Sequence, residues 1–212
     1  MTAPVVVFDL DGTLTLTDTS VPFLRFVAGK RAAWSGLLSA GAWALPDLLA
    51  SLAAEWMGPP PTLGGVGGRW HGLLHQRVAA RTLRGRPWAG LQSAGSDFAD
   101  RMLRENLRPD ARGRIEEHRS QGHRLLLASG SLELYLEPLR GLLGFDAVLG
   151  TRLELRDGVA TGRFLGLPCW GAEKLRRVRE ALRPGEEIVH AYGDGPGDRA
   201  LLAAARHVTW VR

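Results

Sequence analysis

The sequence predicts an α/β protein with a doubly wound, mostly parallel sheet, a helical insert after the first strand and a β-hairpin near residues 151–164. Residues 5–8 form an apolar, largely β-branched run that is typical of a buried strand. From residue 110 onward, short apolar strands alternate with single helices, whereas residues 15–107 show no strand-like alternation. We therefore expect residues 1–15 and 109–212 to form one core, and residues 16–108 to form a helical insert.

Composition limits the class of protein and its partners. The chain has 212 residues, of which 45% are hydrophobic and 23% are charged, as in an ordinary soluble globular protein that can bury a core. The net charge of +5 comes from arginines spread along the chain, so we expect no nucleic-acid partner. A single cysteine, Cys169, excludes an intrachain disulfide, and the N-terminal residues do not resemble a signal peptide. These features predict a cytoplasmic protein, and they do not indicate an oligomeric state.

The first strand ends in two carboxylates, Asp9 and Asp11, which directly precede a turn at Gly12 and Thr13. Paired carboxylates repel each other and are costly to desolvate, so a cation or a phosphate group between them would explain their position. The alternative is an acidic strand end that caps the following helix. Thr13 is expected to fix the turn.

The insert begins with polar residues, among which Asp18 or Ser20 is a candidate N-cap for a helix over residues 21–27. Residues 32–54 carry one charge and are interrupted by a Pro-Asp pair, which favours two helices of a small bundle over a membrane span. Peripheral contact of this segment with a membrane or lipid is a second interpretation. Residues 58–68 are rich in Pro and Gly and predict a loop.

The rest of the insert contains His71 and His75, which are four residues apart. They could bind a metal from one helix face, but no third ligand is near in sequence, so packed or surface histidines are favoured. Another helix is predicted over residues 88–107. The second half of the core then predicts these elements in order: helix 110–121, strand 124–128, helix 132–143, strand 147–149, a hairpin turning at Asp157–Gly158, helix 171–182, strand 187–192, a helix to residue 205 and strand 207–211.

Three of the predicted strands end in polar residues. Asp9 and Asp11 follow the first strand, Ser129 and Gly130 follow another, and an Asp194/Asp198 pair follows a third. Ligands bind at the carboxyl ends of strands in parallel sheets, so these groups are expected to converge on one edge. Helix capping explains each pair separately but does not explain all three together.

This set of residue types suits phosphoryl chemistry. Carboxylate oxygens are the ligands that Mg²⁺ prefers, and a carboxylate can attack phosphorus to give an aspartyl-phosphate. Lys174, one of two lysines in the chain, could offset the negative charge, while the Ser129 hydroxyl and the amides near Gly12 and Gly130 hold phosphate oxygens. Asp11 could protonate the leaving alcohol and then activate water.

In order along the chain, Asp9-Leu10-Asp11-Gly12-Thr13, Ser129, Lys174 and Gly193-Asp194 with Asp198 resemble the four motifs of the haloacid-dehalogenase-like (HAD) phosphatase superfamily. The insert directly after the first motif resembles the helical C1 cap of the phosphoserine-phosphatase-like branch, subfamily IB. The resemblance implies a Rossmann-like catalytic core and a Mg²⁺-dependent phosphomonoester hydrolase that forms an aspartyl-phosphate. In this comparison Asp9 is the nucleophile and Asp11 is the general acid and base.

The same resemblance implies the other roles. The side chains of Asp9 and Asp194 and the main-chain carbonyl of Asp11 would bind Mg²⁺, and Asp198 would support the metal site. Ser129 and Lys174, with Gly12 and Gly130, would hold the phosphate.

The substrate implied is phosphoserine or a similar small phosphomonoester. Asp18 stands where phosphoserine phosphatases carry a Glu for the substrate's amino group, and it could bind an amine or only cap the first helix of the insert. The alternatives are a lipid-phosphate phosphatase of the phosphatidylglycerophosphate or lysophospholipid type and, less favoured, a phosphotransferase. A non-catalytic phosphate-binding module is disfavoured, because the nucleophile, the second Asp and the Lys are all present.

Overall fold

The computed structural model describes residues 4–29, 79 and 82–211. The predicted helices of residues 32–54, the Pro/Gly-rich loop and the pair His71 and His75 lie outside this part of the chain. The described strands are β1 Val5–Phe8, β2 Arg124–Leu132, β3 Ala147–Thr151, β4 Leu153–Arg156, β5 Val159–Phe164, β6 Ile188–Gly193 and β7 His207–Trp210. The described helices are α1 (20–29), α2 Trp88–Glu105, α3 Ala111–Ser120, α4 Glu133–Leu143, α5 Ala172–Ala181 and α6 Arg199–Ala203, with a 3₁₀ turn at Pro196–Asp198.

The main sheet has the strand order β3-β2-β1-β6-β7, and all four pairings are parallel. The chain builds outward from β1 to β2 and β3 on one side, then returns to place β6 and β7 on the other side. The order therefore reverses at β1, and the crevice beyond the carboxyl end of such a strand is where open α/β sheets bind ligands. Asp9 is the first residue after this strand.

Strand β1 is central because it has no polar side chain to expose. Its four residues are completely buried, and they alternate between two hydrophobic clusters. Val6 and Phe8 face the cluster that contains α2, α3 and α4, whereas Val5 and Val7 face the cluster that contains α5 and α6. Helices therefore cover both faces of the sheet, as expected for a parallel sheet whose strands are apolar on both sides.

The described ends of the predicted insert pack into the core of the sheet domain. Phe23 of α1 lies 5.2 Å from Phe98 of α2 and 4.6 Å from Tyr135 of α4, measured between ring centroids. Gly95 lets α2 approach α4 closely, since a Cβ there would lie 2.6 Å from the carbonyl oxygen of Leu134. The described parts of the predicted insert and core thus share one hydrophobic cluster. The division at residues 16–108 stays a prediction.

The predicted α/β class with its parallel sheet is confirmed, and a two-stranded antiparallel β4–β5 hairpin lies within the predicted range. Its turn places Asp157 at φ 52° and Gly158 at φ 75°, the left-handed conformations that a tight hairpin turn requires. Strand β2 is longer than the sequence predicts, because it continues through Ser129 and Gly130 to Leu132 with an irregularity after Ala128. Among the described residues, no helix is long and apolar enough to span a membrane.

Candidate active site

The sheet brings the polar strand ends together around Lys174. The ammonium nitrogen of Lys174, in the first turn of α5, lies 2.7 Å from Asp9 Oδ1 and 2.5 Å from Asp198 Oδ1. Oxygens of Asp9, Asp194 and Asp198 all lie within 4.8 Å of one another. Asp9, Lys174 and Asp198 are 4% exposed or less, so this ion cluster is shielded from water.

Burial and neighbouring charges shift the pKa values of the groups in this cluster. Burial raises the pKa of Asp9 to about 8, and the charge of Lys174 opposes this shift while those of Asp198 and Asp11 add to it. Burial alone would lower the pKa of Lys174, but the charges of Asp9 and Asp198 raise it above its ordinary value. Burial, with the charge of Asp198, also raises the pKa of Asp194. Lys174 therefore stays cationic beside an excess of carboxylates.

Besides its ion pair with Lys174, Asp198 also orders the turn after β6. Its Oδ2 accepts hydrogen bonds from the backbone N–H groups of Asp194 and Gly195, both at 3.2 Å. Its side chain also lies against Gly193, where a Cβ would be 2.6 Å from the Cβ of Asp198. Asp198 thus holds in place the turn that carries Asp194.

Gly12 lies against Asp194 rather than only forming a turn. Its φ of +74° is in the left-handed region, and a Cβ at this position would lie 2.0 Å from Asp194 Oδ2. The following Thr13 donates its N–H to the carbonyl of Leu10 at 3.1 Å, which supports its expected part in the turn. Its buried hydroxyl has no hydrogen-bond partner among the described residues.

Asp11 lines the same cavity as the ion cluster, and its hydrogen bonds go to the start of α1 and the end of β2. Its Oδ1 accepts hydrogen bonds from the N–H of Thr19 at 2.7 Å and from the Thr19 hydroxyl at 2.6 Å. Its Oδ2 accepts from the hydroxyls of Ser131 at 2.5 Å and Ser129 at 3.2 Å. Burial and the charge of Asp18 raise the pKa of Asp11, while the donors Ser131 and Thr19 oppose that rise.

The turn at Ser129 and Gly130 is tied to the loop before α5. Thr151, at the end of β3, donates its hydroxyl to the carbonyl of Gly130 at 2.6 Å and accepts the N–H of Cys169 at 3.1 Å. Ser129 Oγ also accepts the N–H of Ser131 at 3.1 Å. These bonds fix Ser129 at the same edge of the sheet as Asp11.

Asp18 caps α1. Its Oδ1 accepts hydrogen bonds from the N–H groups of Ser20 at 2.9 Å and Val21 at 3.4 Å, so one of its two predicted uses is present in the structure. The side chain is exposed and also lines the site cavity. An amine-binding role for Asp18 stays a prediction.

A cavity of about 180 Å³ opens above these groups. Of the nine residues that the sequence predicts for phosphate, metal, catalysis and specificity, eight line it: Asp9, Asp11, Asp18, Ser129, Gly130, Lys174, Asp194 and Asp198. The ninth, Gly12, lies behind Asp194. Most of the remaining wall is apolar and includes Leu24, Phe164 and Trp170. The cavity therefore joins an ionic floor to a mostly apolar wall.

The donor set fits a hard divalent cation. Three carboxylates from two adjacent strand ends offer oxygens within 4.8 Å of one another, and oxygen-rich sets of this kind suit Mg²⁺. Lys174 and two backbone N–H groups already engage Asp198. Asp9 and Asp194 are consequently the better candidates for direct ligands, and Asp198 for a supporting group.

Three hydroxyl residues that hold groups of the site in place were not assigned a role from the sequence. Thr19 and Ser131 hold Asp11, and Thr151 holds the Gly130 turn. Their partners lie 8, 120 and 21 residues away in the chain, and a hydroxyl residue in a loop or strand has no fixed spacing that identifies its partner. Ser131 was the most accessible to prediction, because it is two residues from Ser129.

Comparison with known proteins gives consistent results. A model of the haloacid dehalogenase-like hydrolase family matches residues 6–203. Protein CicA of Caulobacter vibrioides is 32% identical over 94% of this chain and 82% of its own length. Phosphoserine phosphatase of Archaeoglobus fulgidus is 31% identical over 62% of this chain and 37% of its own length.

Solved structures share the fold. A Bordetella pertussis protein of unknown function aligns with a TM-score of 0.69 and 22% identity, over 96% of this chain and 87% of that chain. Apo phosphoserine phosphatase aligns with a TM-score of 0.58 and 17% identity, over 96% of this chain and 84% of that chain. At these identities the similarity concerns the fold alone.

Proposed function

Because the chain belongs to the haloacid dehalogenase-like hydrolase family, we propose that it hydrolyses small phosphomonoesters through a phosphoaspartyl intermediate on Asp9. The family expected from the motifs is thereby confirmed. One observation carries the proposed activity: Asp9 lies at the switch point of the sheet, paired with the buried cation Lys174 and within reach of two further carboxylates. A nucleophile, a charge-neutralising group and a proton carrier are then available around one cavity.

In the first chemical step an oxygen of Asp9 attacks phosphorus, and the bond from phosphorus to the leaving oxygen breaks. Asp11 gives its proton to that oxygen, so an alcohol leaves. In the second step water attacks the phosphorus of the intermediate, Asp11 takes the proton from water, and the bond between Asp9 and phosphorus breaks. Inorganic phosphate is released and both aspartates return to their starting forms.

Other side chains bind and orient the phosphate. Lys174 offsets the negative charge that accumulates as Asp9 approaches the phosphate. In this proposal the hydroxyl of Ser129 and the backbone N–H groups at Gly12 and Gly130 hold phosphate oxygens, and the Ser129 hydroxyl turns from Asp11 to the phosphate. Asp9, Asp194 and the main-chain carbonyl of Asp11 would hold Mg²⁺, which when bound supplies further neutralisation of phosphate charge. Asp198 keeps Asp194 and Lys174 in place.

The proposed substrate is a small metabolite, such as phosphoserine or a similar phosphomonoester. The residues described around the cavity leave about 180 Å³, which is room for a phosphate group with a compact leaving group. Relatives named phosphoserine phosphatase and histidinol-phosphatase support phosphomonoesters in general without selecting one substrate. The lipid-phosphate alternative depends on residues 32–54, which lie outside the described residues.

The replacement Asp9→Asn tests the proposed activity. We expect it to abolish Mg²⁺-dependent hydrolysis of p-nitrophenyl phosphate, because an amide cannot form the covalent intermediate. Release of p-nitrophenol and of inorganic phosphate would be measured, and circular dichroism would verify the fold.

Asp100→Asn is the matched control, since Asp100 is an exposed residue of α2 and the same substitution there should keep wild-type turnover. Turnover by Asp9→Asn close to that of the wild type would contradict the proposal. Vesicle flotation and assays with phosphatidylglycerophosphate would separate the lipid alternative. Transfer of phosphate to added alcohols would indicate a phosphotransferase.

A further inference from the structure

A buried group of hydroxyls surrounds Asp11, and the steps proposed above give most of them no role. Thr19, Ser20, Ser131 and Tyr135 form this hydroxyl cluster. The Thr19 oxygen lies 2.6 Å from Asp11 Oδ1, 3.0 Å from the Tyr135 oxygen and 3.3 Å from the Ser131 oxygen. Ser20 and Ser131 lie 3.2 Å apart. Thr19, Ser131 and Tyr135 are almost completely buried, so water cannot replace these contacts freely.

The donors in this cluster have a definite order. After Asp11 has given its proton to the leaving oxygen it is ionised and only accepts hydrogen bonds, so Thr19 then donates its single hydroxyl proton to Asp11. Because Thr19 has then used its only proton, its oxygen can only accept, and Tyr135 is the donor in the bond between them. Burial raises the pKa of Tyr135, so its phenol keeps the proton that this bond requires. The result is a chain of hydrogen bonds from Tyr135 to Thr19 to Asp11.

Thr19 also belongs to the start of a packed helix. Its carbonyl accepts the N–H of Phe23 at 2.9 Å, and its own N–H binds the same oxygen of Asp11 as its hydroxyl does. Phe23 is completely buried against Phe98 and Tyr135. The orientation of the Asp11 carboxyl group is therefore tied to a fixed helix start rather than to a free loop.

We propose that Thr19 is a positioning residue that holds Asp11 in the orientation for proton transfer. This inference rests on the proposed function, in which Asp11 gives a proton to the leaving oxygen and later takes one from water. Without the threonine hydroxyl, the carboxyl group keeps the donor at the Thr19 N–H but loses a contact that limits its rotation. A displaced Asp11 carboxyl group slows proton transfer more than it slows attack by Asp9, because Asp9 is held by a different partner, Lys174.

Thr19→Val tests the inference, since it is nearly isosteric and removes only the hydroxyl. Two substrates would be compared: an alkyl phosphate, whose alkoxide needs a proton to leave, and p-nitrophenyl phosphate, whose phenolate leaves as a stable anion. We expect kcat/KM for the alkyl phosphate to fall about 10- to 100-fold and kcat/KM for p-nitrophenyl phosphate to fall less than about threefold. The ratio of the two values within one preparation does not depend on the fraction of active enzyme.

A second readout follows from the hydrolysis of the intermediate. With p-nitrophenyl phosphate, kcat/KM covers only the steps through formation of the phosphoenzyme, whereas kcat also includes attack by water. Thr19→Val should therefore lower kcat and KM together and produce a burst of p-nitrophenol before steady state. A role of Thr19 confined to folding would not produce this pattern.

Three variants complete the experiment. Thr19→Ser keeps the hydroxyl and should restore the wild-type ratio between substrates. Tyr135→Phe removes the donor to Thr19 and should change the ratio in the same direction by a smaller factor. Thr17→Val is the matched control, because that hydroxyl binds Asn106 at 3.1 Å and not Asp11.

Equal losses on both substrates in Thr19→Val, or the same selective loss in Thr17→Val, would overturn the inference. If Thr19→Val does not fold, an unchanged ratio in Tyr135→Phe would overturn it. Failure of the proposed function would look different, because the wild-type protein itself would then hydrolyse neither substrate with Mg²⁺.

Discussion

Gly12 is restricted by its backbone and by its neighbour at the same time. Its φ of +74° disfavours any residue with a Cβ, and the space where a Cβ would lie is taken by the carboxyl group of Asp194. The first restriction concerns only local conformation, whereas the second joins the first strand end to the turn after β6. A substitution at Gly12 should therefore affect a candidate metal ligand as well as stability.

Gly12→Ala should lower the free energy of unfolding by about 1–2 kcal/mol from the left-handed backbone conformation. It should also raise the Mg²⁺ concentration needed for half-maximal activity, because the added Cβ displaces Asp194. Gly122→Ala is the matched control, with φ +73° and nothing within 4 Å of its Cβ position. Urea unfolding and Mg²⁺ titration of activity would be measured for both. An equal Mg²⁺ requirement in the two variants would contradict a coupling between Gly12 and Asp194.

At the scale of elements, Thr151 joins three segments that line the site. Its hydroxyl bonds the carbonyl of Gly130 in β2 and the N–H of Cys169 in the loop before α5. Arg177 of α5 supports the same region by donating to the carbonyls of Gly150 and Leu167, each at 2.5 Å. The end of β3 thus keeps the loop that carries Trp170 against the turn at Ser129.

Thr151→Val should lower the free energy of unfolding by about 1–3 kcal/mol, because a buried carbonyl and a buried N–H each lose their partner. KM for the substrate should rise more than kcat falls, since the cavity wall moves while Asp9 and Asp11 keep their own contacts. Steady-state kinetics and urea unfolding would test both effects. Thr161→Val in β5 is the control, because its hydroxyl bonds Glu154 and the N–H of Arg163 within the hairpin and no residue of the site. If KM is unchanged in Thr151→Val, the bond does not position the wall.

Grouping carboxylates at one edge of the sheet lowers the stability of the whole molecule as pH rises. Burial raises the pKa of Asp9 from 3.8 to about 8, so between these values the folded protein holds a proton that the unfolded chain has lost. This contribution to stability is fully present below about pH 4 and is lost as pH rises toward 8. His118 and His190 act in the opposite direction, because burial lowers the pKa of each.

The pH dependence of stability should therefore differ between the wild type and Asp9→Asn, since asparagine does not titrate. In EDTA, the free energy of unfolding of the wild type should fall relative to that of the variant between pH 5 and 8. The difference should change by at most about 1.4 kcal/mol per pH unit. Urea unfolding at several pH values would measure it, and Mg²⁺ should reduce the loss. Parallel curves for the two proteins would show that Asp9 does not titrate in this range.

The sequence was sufficient for the α/β class and for the groups expected to meet at one edge. Strand β1 could be assigned from four consecutive apolar residues, and the alternation of strands with single helices required parallel pairing. Because parallel strands end at the same edge, residues from three distant parts of the chain could be expected at one site. The ends of helices and strands were predicted less exactly. Strand β2 continues past residue 128 to Leu132, because its pairing with β3 resumes after an irregularity.

The tertiary structure decided which groups contact each other. Local pattern gives the residue types at each strand end, but a hydroxyl or a carboxylate can satisfy its hydrogen bonds with any nearby partner. The contacts of Asp11 with Thr19 and Ser131 were therefore not predictable. For Asp18 the structure shows the helix cap through its bonds to Ser20 and Val21, and amine binding stays a prediction. Distances between side chains depend on the packing of several elements at once, which periodicity in the sequence does not encode.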